Sequence, residues 1–202
     1  VQMYEEALPA RTVTEEVEGM PVLRLQFFDS QGSRERREFL EDHADAPVQI
    51  IDLRTNGGGF WQDAQSVMMD YVGQAVPTNS VEVDAWTGNY QDEQDQFAEN
   101  EKLLILLTGK YTASAAEQFV DAIHNVENVL IVGENTNGCI LTAAGSSYLP
   151  NSNAPMVLGA NLVHVFPGEG FFEELRGLYP DIWVPAGEAE ELVIKLVEQL
   201  NR

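Results

Sequence analysis

Basic residues are scarce. Eleven lysines and arginines stand against thirty-three aspartates and glutamates, a formal charge of −22 over 202 residues. A field of that sign repels nucleic acid and anionic membrane surfaces, so neither is expected as a partner. A well-solvated acidic surface accounts for it, with affinity for basic partners as the functional alternative. Cysteine occurs once, at Cys139, which excludes an internal disulfide and any multi-cysteine zinc site but leaves the compartment open. The three histidines, His43, His124 and His164, are scattered without metal-ligand spacing, so no metal is expected. No apolar run approaches the ~20 residues of a membrane-spanning helix, and the N-terminus lacks a signal-peptide pattern. The first residue is Val1 rather than Met, which implies a processed form or an excised segment.

What is present suits one substantial domain with a single buried core. Residues 1–19 are polar and acidic and read as a leader or an edge segment; residues 20–202 read as the domain proper. Apolar runs and period-two alternation predict strands over 21–28, 48–53, 81–86, 103–107, 129–132 and 182–184, and a pair of strands over 140–148 and 156–166 flanking an Asn/Pro turn. Helical spacing predicts helices over 33–43, 60–72, 115–123 and 188–200. Strand and helix in alternation imply a mostly parallel α/β sheet, in which chemistry gathers at the carboxyl ends of the strands. Three small-residue turns fall there, at 55–59, 108–114 and 133–139.

Two of those turns carry chemically suggestive residues. Ser114 lies between Ala113 and Ala115 and opens a helix, beside unpaired backbone N–H groups at the positive end of the helix dipole. It reads either as a helix N-cap or as a nucleophile with the Ala115 N–H aimed at the oxygen it would polarise. Gly57-Gly58-Gly59 after an apolar strand reads either as a tight turn or as a second backbone donor to an anion. A phosphate-cradling loop is the rival reading, but no Gly-Lys-Ser/Thr follows and the acidic surface argues against nucleotides.

Four blocks occur in order: Asp52-Leu53-Arg54-Thr55-Asn56-Gly57-Gly58-Gly59, Ser114-Ala115-Ala116-Glu117, Val132-Gly133-Glu134-Asn135-Thr136-Asn137-Gly138, and Gly177-Leu178-Tyr179-Pro180-Asp181-Ile182. Together they resemble the catalytic core of the tail-specific, or C-terminal processing, protease family, which includes the core of the tricorn protease. The resemblance implies a Clp-protease/crotonase-like α/β fold, a mostly parallel sheet flanked by helices. It implies a serine-type endopeptidase acting on peptide or protein substrates, without metal or organic cofactor and with homo-oligomers possible. Ser114 matches the nucleophile; Ala115 with Gly58 or Gly59 matches the oxyanion donors. The peptide-binding PDZ module that many members carry is not visible in this chain. Exported bacterial members of the family imply an extracytoplasmic location, whereas the tricorn branch is cytoplasmic.

The match departs from the family at the base. The processing-protease branch has a lysine where this chain has Cys139, twenty-five residues past Ser114, and a glutamine where it has Ala143. A neutral thiol does not replace a desolvated amine, and Cys139 reads as a small buried hydrophobe. The tricorn branch uses a histidine oriented by a glutamate, and Glu174 matches that glutamate. His164 is the histidine retained as a candidate, because its strand leads towards Glu174; on residues alone it also reads as an ordinary strand histidine. The alternative to an enzyme is an inactive member of the family that binds a peptide or an apolar ligand. Glu117 and Glu134 read as structural anchors.

Overall fold

In the computed structural model, residues 11–74, 76–84, 87, 98–140, 143–148, 155–159, 162–166, 170–171 and 175–200 are described. The chain opens with β1 (Thr12–Val17), β2 (Met20–Leu25), α1 (Ser33–Asp42), β3 (Val48–Asp52) and α2 (Trp61–Val72). Then come β4 (Val81–Asp84), β5 (Leu103–Thr108), α3 (Ala115–Ile123) and β6 (Val129–Gly133). The last part holds β7 (Ala143–Tyr148), β8 (Pro155–Gly159), β9 (Leu162–Phe166), β10 (Gly170–Phe171), β11 (Ile182–Trp183) and α4 (Ala189–Leu200).

Six strands form the main sheet in the order β1–β2–β3–β5–β6–β11. Only β1 runs antiparallel to its neighbour; the remaining pairings in this sheet are parallel. Residues 12–17, within the acidic N-terminal segment, thus form an edge strand. Packing explains why β3 and β5 read as unbroken apolar runs. Ile51, Leu104 and Leu106 face a cluster that includes Val67 and Met68 of α2 and Phe119 and Val120 of α3. Ile50, Ile105 and Leu107 face the opposite cluster, closed by Val193 and Val197 of α4. Successive side chains point to opposite faces, and helices cover both, so no polar alternation is required.

One strand expectation is corrected. The run 156–166 is two strands in two sheets: β8 pairs with β7, and β9 pairs with β4 in a sheet ordered β10–β9–β4. The sequence Gly159-Ala160-Asn161, poor in strand-forming residues, stands where the run divides.

A charged cluster ties α4 to the strand that leads into the glycine loop. Asp52, 8 % exposed at the end of β3, accepts hydrogen bonds from Arg24 of β2 and from Arg54. Both arginines also bond Glu190 of α4, at 2.7 and 2.9 Å, and Arg54 reaches the Ala186 carbonyl at 2.7 Å. Burial pushes the Asp52 carboxyl up, but the hydrogen bonds and charge of Arg54, with Arg24, outweigh it and hold it below the usual carboxylate range. The Arg24 hydrogen bond does the same for Glu190. Carboxyls lowered in the folded state stabilise it fully above their unfolded values near pH ~4, and that contribution is lost as pH falls through the lowered values. Urea midpoints measured from pH 7 to pH 3 are expected to fall below about pH 4. Arg54→Met is expected to lower the midpoint already at pH 7 and to flatten the fall, because the folded Asp52 carboxyl then titrates closer to its unfolded value.

Candidate active site

The strand order β3–β5–β6 sets three carboxyl-end loops side by side: 53–60, 109–114 and 134–139. Backbone and hydroxyl bonds stitch them together. The Thr112 hydroxyl donates to the Leu53 carbonyl at 2.7 Å and accepts the Gly109 N–H at 3.0 Å, both in buried surroundings. The Asn137 N–H donates to the Thr112 carbonyl at 2.8 Å. The Ala113 N–H donates to the Asn56 carbonyl at 3.0 Å, which joins the serine turn to the glycine loop.

Ser114 occupies the elbow between β5 and α3, with φ 57° and ψ −124°. A positive φ is uncommon for a residue with a Cβ, and such strain recurs where a nucleophile is presented on a strand-to-helix turn. The glycine loop lies directly against it. A Cβ added to Gly58 would stand 2.7 Å from the Ser114 Cβ and 3.2 Å from its Oγ, so only glycine allows this approach.

Glu117 holds the elbow in place. It is fully buried one turn into α3, and its carboxylate accepts four hydrogen bonds. Oε1 receives the Thr136 hydroxyl at 2.6 Å and the Gly138 N–H at 2.7 Å. Oε2 receives the Cys139 N–H at 2.7 Å and the Ser114 N–H at 3.1 Å. The Ser114 N–H is shared with the Cys139 carbonyl at 3.0 Å. The anchoring role read from sequence is therefore what the carboxylate does: it locks loop 136–139 onto the start of α3.

The remaining backbone donors around Ser114 divide cleanly. The Gly57 N–H donates to the Gln26 carbonyl at 3.4 Å, and the Gly58 N–H to Asn56 Oδ1 at 2.8 Å. Ala116 and Glu117 donate back to Ala113 and Ser114. Among the described residues the N–H groups of Gly59 and Ala115 have no hydrogen-bond partner. Of the two glycines named from sequence as oxyanion donors, Gly58 is thus already engaged and Gly59 is not.

The other residues singled out in the sequence are dispersed. Glu174 lies outside the described residues, as does the side chain of His164. His164 belongs to β9, in the three-stranded sheet, with Glu82 opposite it in the pairing. His43 caps the C-terminal end of α1, hydrogen-bonded to Glu16 and the Phe39 carbonyl. His124 caps the C-terminal end of α3. Both helices lead into the amino ends of strands, so these two histidines stand at the end of the sheet opposite Ser114. Cys139 corrects an expectation: its side chain is exposed, not buried. Its peptide group bonds Ser114 and Glu117 beside the elbow.

Asn56 and the Arg24–Asp52–Arg54–Glu190 cluster had no role in the sequence reading. For Asn56 a signal existed, since an Asn side chain commonly bonds the backbone two residues on. The partners in the charged cluster are up to 166 residues apart, and no local pattern announces them.

An open α/β sheet bearing a serine on a strand-to-helix elbow, faced by a glycine loop, has the architecture of a serine-hydrolase-type core. Residues 20–184 match peptidase family S41, and the chain belongs to that family. It is 28% identical over 145 residues to the tail-specific protease of Haemophilus influenzae, covering 69% of this chain and 21% of that protein. It is 23% identical over 190 residues to the carboxy-terminal processing protease CtpA of Bacillus subtilis, covering 90% of this chain and 39% of that one. The chain thus spans well under half the length of these curated relatives. The crystal structure of a putative peptidase from Parabacteroides merdae shares the fold, with TM-score 0.69 and 19% identity, covering 94% of this chain and 65% of that one. The Clp-protease/crotonase-like core with a mostly parallel sheet, implied by the four sequence blocks, is the fold observed. Among the described residues no helix is long and apolar enough to cross a membrane.

Proposed function

We propose that this chain is the catalytic core of a serine-type endopeptidase, with Ser114 as nucleophile and the N–H groups of Gly59 and Ala115 as oxyanion donors. Ser114 Oγ attacks the scissile carbonyl carbon and gives its proton to a base. The carbonyl electron pair moves to the oxygen, which the two N–H groups receive; collapse of the tetrahedral species breaks the C–N bond, the amine leaves with the proton returned by the base, and water then releases the acyl group from Ser114 by the same steps. The observation that carries this reading is the pair of N–H groups, unpartnered among the described residues, beside a serine held at positive φ. Glu174 is assigned to orienting a histidine; His164 is the candidate within the chain, and otherwise that histidine comes from another segment. Substrates are peptides or proteins, and neither metal nor organic cofactor takes part.

A fluorophosphonate probe is expected to label the wild-type chain and not Ser114→Ala. Labelling that persists in Ser114→Ala would remove Ser114 from its role. One observation favours a second reading, a non-catalytic peptide- or apolar-ligand-binding member of the family. The position of the processing-branch lysine is Cys139, whose exposed thiol is no general base. That reading predicts no labelling of the wild-type chain, together with measurable binding of an uncleaved peptide.

A further inference from the structure

Asn56 is fully buried, and its amide is bonded on one side only. Oδ1 accepts the Gly58 N–H at 2.8 Å, while Nδ2 is buried and has no hydrogen-bond partner among the described residues. Turning the amide over does not cure this, because the Gly58 N–H is a donor and needs an oxygen opposite it. A buried donor left unpaired is a standing cost, and such exceptions in a native fold call for an explanation.

The explanation lies in what Oδ1 withholds and what it leaves. The Gly58 carbonyl accepts the Phe28 N–H at 2.8 Å, on the β2 side of the loop. A trans peptide sets the Gly59 N–H opposite that carbonyl, so it points away from β2 and towards the β5 side, where Ser114 lies. The Asn56 main-chain carbonyl meanwhile accepts the Ala113 N–H, so one residue both spaces the two loops and selects between the two glycine amides. Aspartate would offer the same acceptor, but with a buried negative charge beside the place where an oxyanion forms. Asparagine supplies the acceptor without the charge, and the idle Nδ2 is the consequence.

We propose that Asn56 is a positioning residue of the oxyanion site: it withdraws the Gly58 N–H and orients the Gly59 N–H, so that Gly59 and Ala115 form the donor pair. The serine-peptidase reading says what these amides bind; which glycine amide is available rests on the hydrogen bonds alone.

The test is amide hydrogen exchange and NMR titration of the 202-residue chain with a dipeptide boronic acid, whose boronate oxygen stands in for the oxyanion. In the free protein the Gly58 amide is expected to exchange at least about tenfold more slowly than the Gly59 amide. The boronate is expected to shift the Gly59 and Ala115 resonances and leave Gly58 nearly unmoved. Asn56→Ala is expected to release the Gly58 amide and slow fluorophosphonate labelling of Ser114 by about tenfold or more per folded molecule. Asn56→Asp, which keeps the acceptor, is expected to retain Gly58 protection. Equal exchange of the two glycine amides in the wild-type protein, or a boronate shift at Gly58 in place of Gly59, overturns the proposal without any variant. So does an Asn56→Ala protein that is less stable yet labels at the wild-type rate. A wild-type chain that takes neither boronate nor fluorophosphonate defeats the peptidase reading, and the exchange contrast between Gly58 and Gly59 then decides the role of Asn56.

Discussion

Glu117→Ala is expected to lower stability by about 3–6 kcal/mol, more than the loss of any single core methyl group. The carboxylate is fully buried and receives donors from Thr136, Gly138, Cys139 and Ser114. Ser114 keeps a second acceptor in the Cys139 carbonyl. The other three donors lose theirs, and each buried donor left unpaired costs about 1–3 kcal/mol. For a domain of this size the melting temperature is expected to fall by on the order of 10 °C or more. Glu117→Gln separates hydrogen bonding from volume. Its amide group presents donors to one pair of donors and keeps an acceptor for the other, so about half of the loss is expected. A melting temperature within a degree or two of wild type in Glu117→Ala would show that loop 136–139 is held by something else.

Gly59→Ala is expected to cost about 2–5 kcal/mol and to remove Ser114 reactivity in the molecules that remain folded. The added Cβ would stand 2.2 Å from the Phe28 carbonyl oxygen and 2.7 Å from its nitrogen, and φ is 136°. The obstacle is backbone, which has no rotamer to turn aside. The loop would have to leave Phe28, breaking the bonds from Phe28 N–H to Gly58 and from Phe60 N–H to Phe28. The Gly59 N–H would move with it. Gly57 is the control two residues away: a Cβ there meets nothing within 4 Å. Gly57→Ala is expected to stay within about 0.5 kcal/mol of wild type, measured by urea unfolding alongside labelling. Equal effects at the two positions would mean that the loop is loose rather than wedged against β2.

How much of this was legible in the residues depended on the range of the interaction. Helix α3 begins at Ala115 and ends at Ile123, as its apolar spacing predicted, because every residue that sets its period lies within it. The five strands of the main sheet from β2 onward were legible for the same reason, whereas β1 lies in the segment read as a leader or an edge segment. The run 156–166 was legible only in part: its first half, β8, pairs with the preceding strand β7 as two neighbouring runs would, whereas β9 pairs with β4 in another sheet, a choice that apolar content does not encode. Cys139 was read as a core residue from its type. It is exposed instead, and its backbone bonds Ser114 and Glu117, contacts that the sequence does not display.

The scarcity of basic residues and the unpatterned histidines argued from composition against nucleic acid and a metal cluster, and the lone cysteine ruled out an internal disulfide. The ordered blocks around Asp52, Ser114, Val132 and Gly177 were sufficient to reach the family and the place of the candidate site, because motif order along a chain is a one-dimensional property. Which amides are left over at that site is a three-dimensional one. Gly58 and Gly59 are neighbours of the same type, and nothing in their sequence separates them. Their difference comes from Asn56 on one side and Phe28, three residues beyond the end of β2, on the other, brought together when β2, β3 and β5 align. A hydrogen-bond donor is available only when every nearby acceptor has been assigned elsewhere, and that assignment exists only in the folded chain.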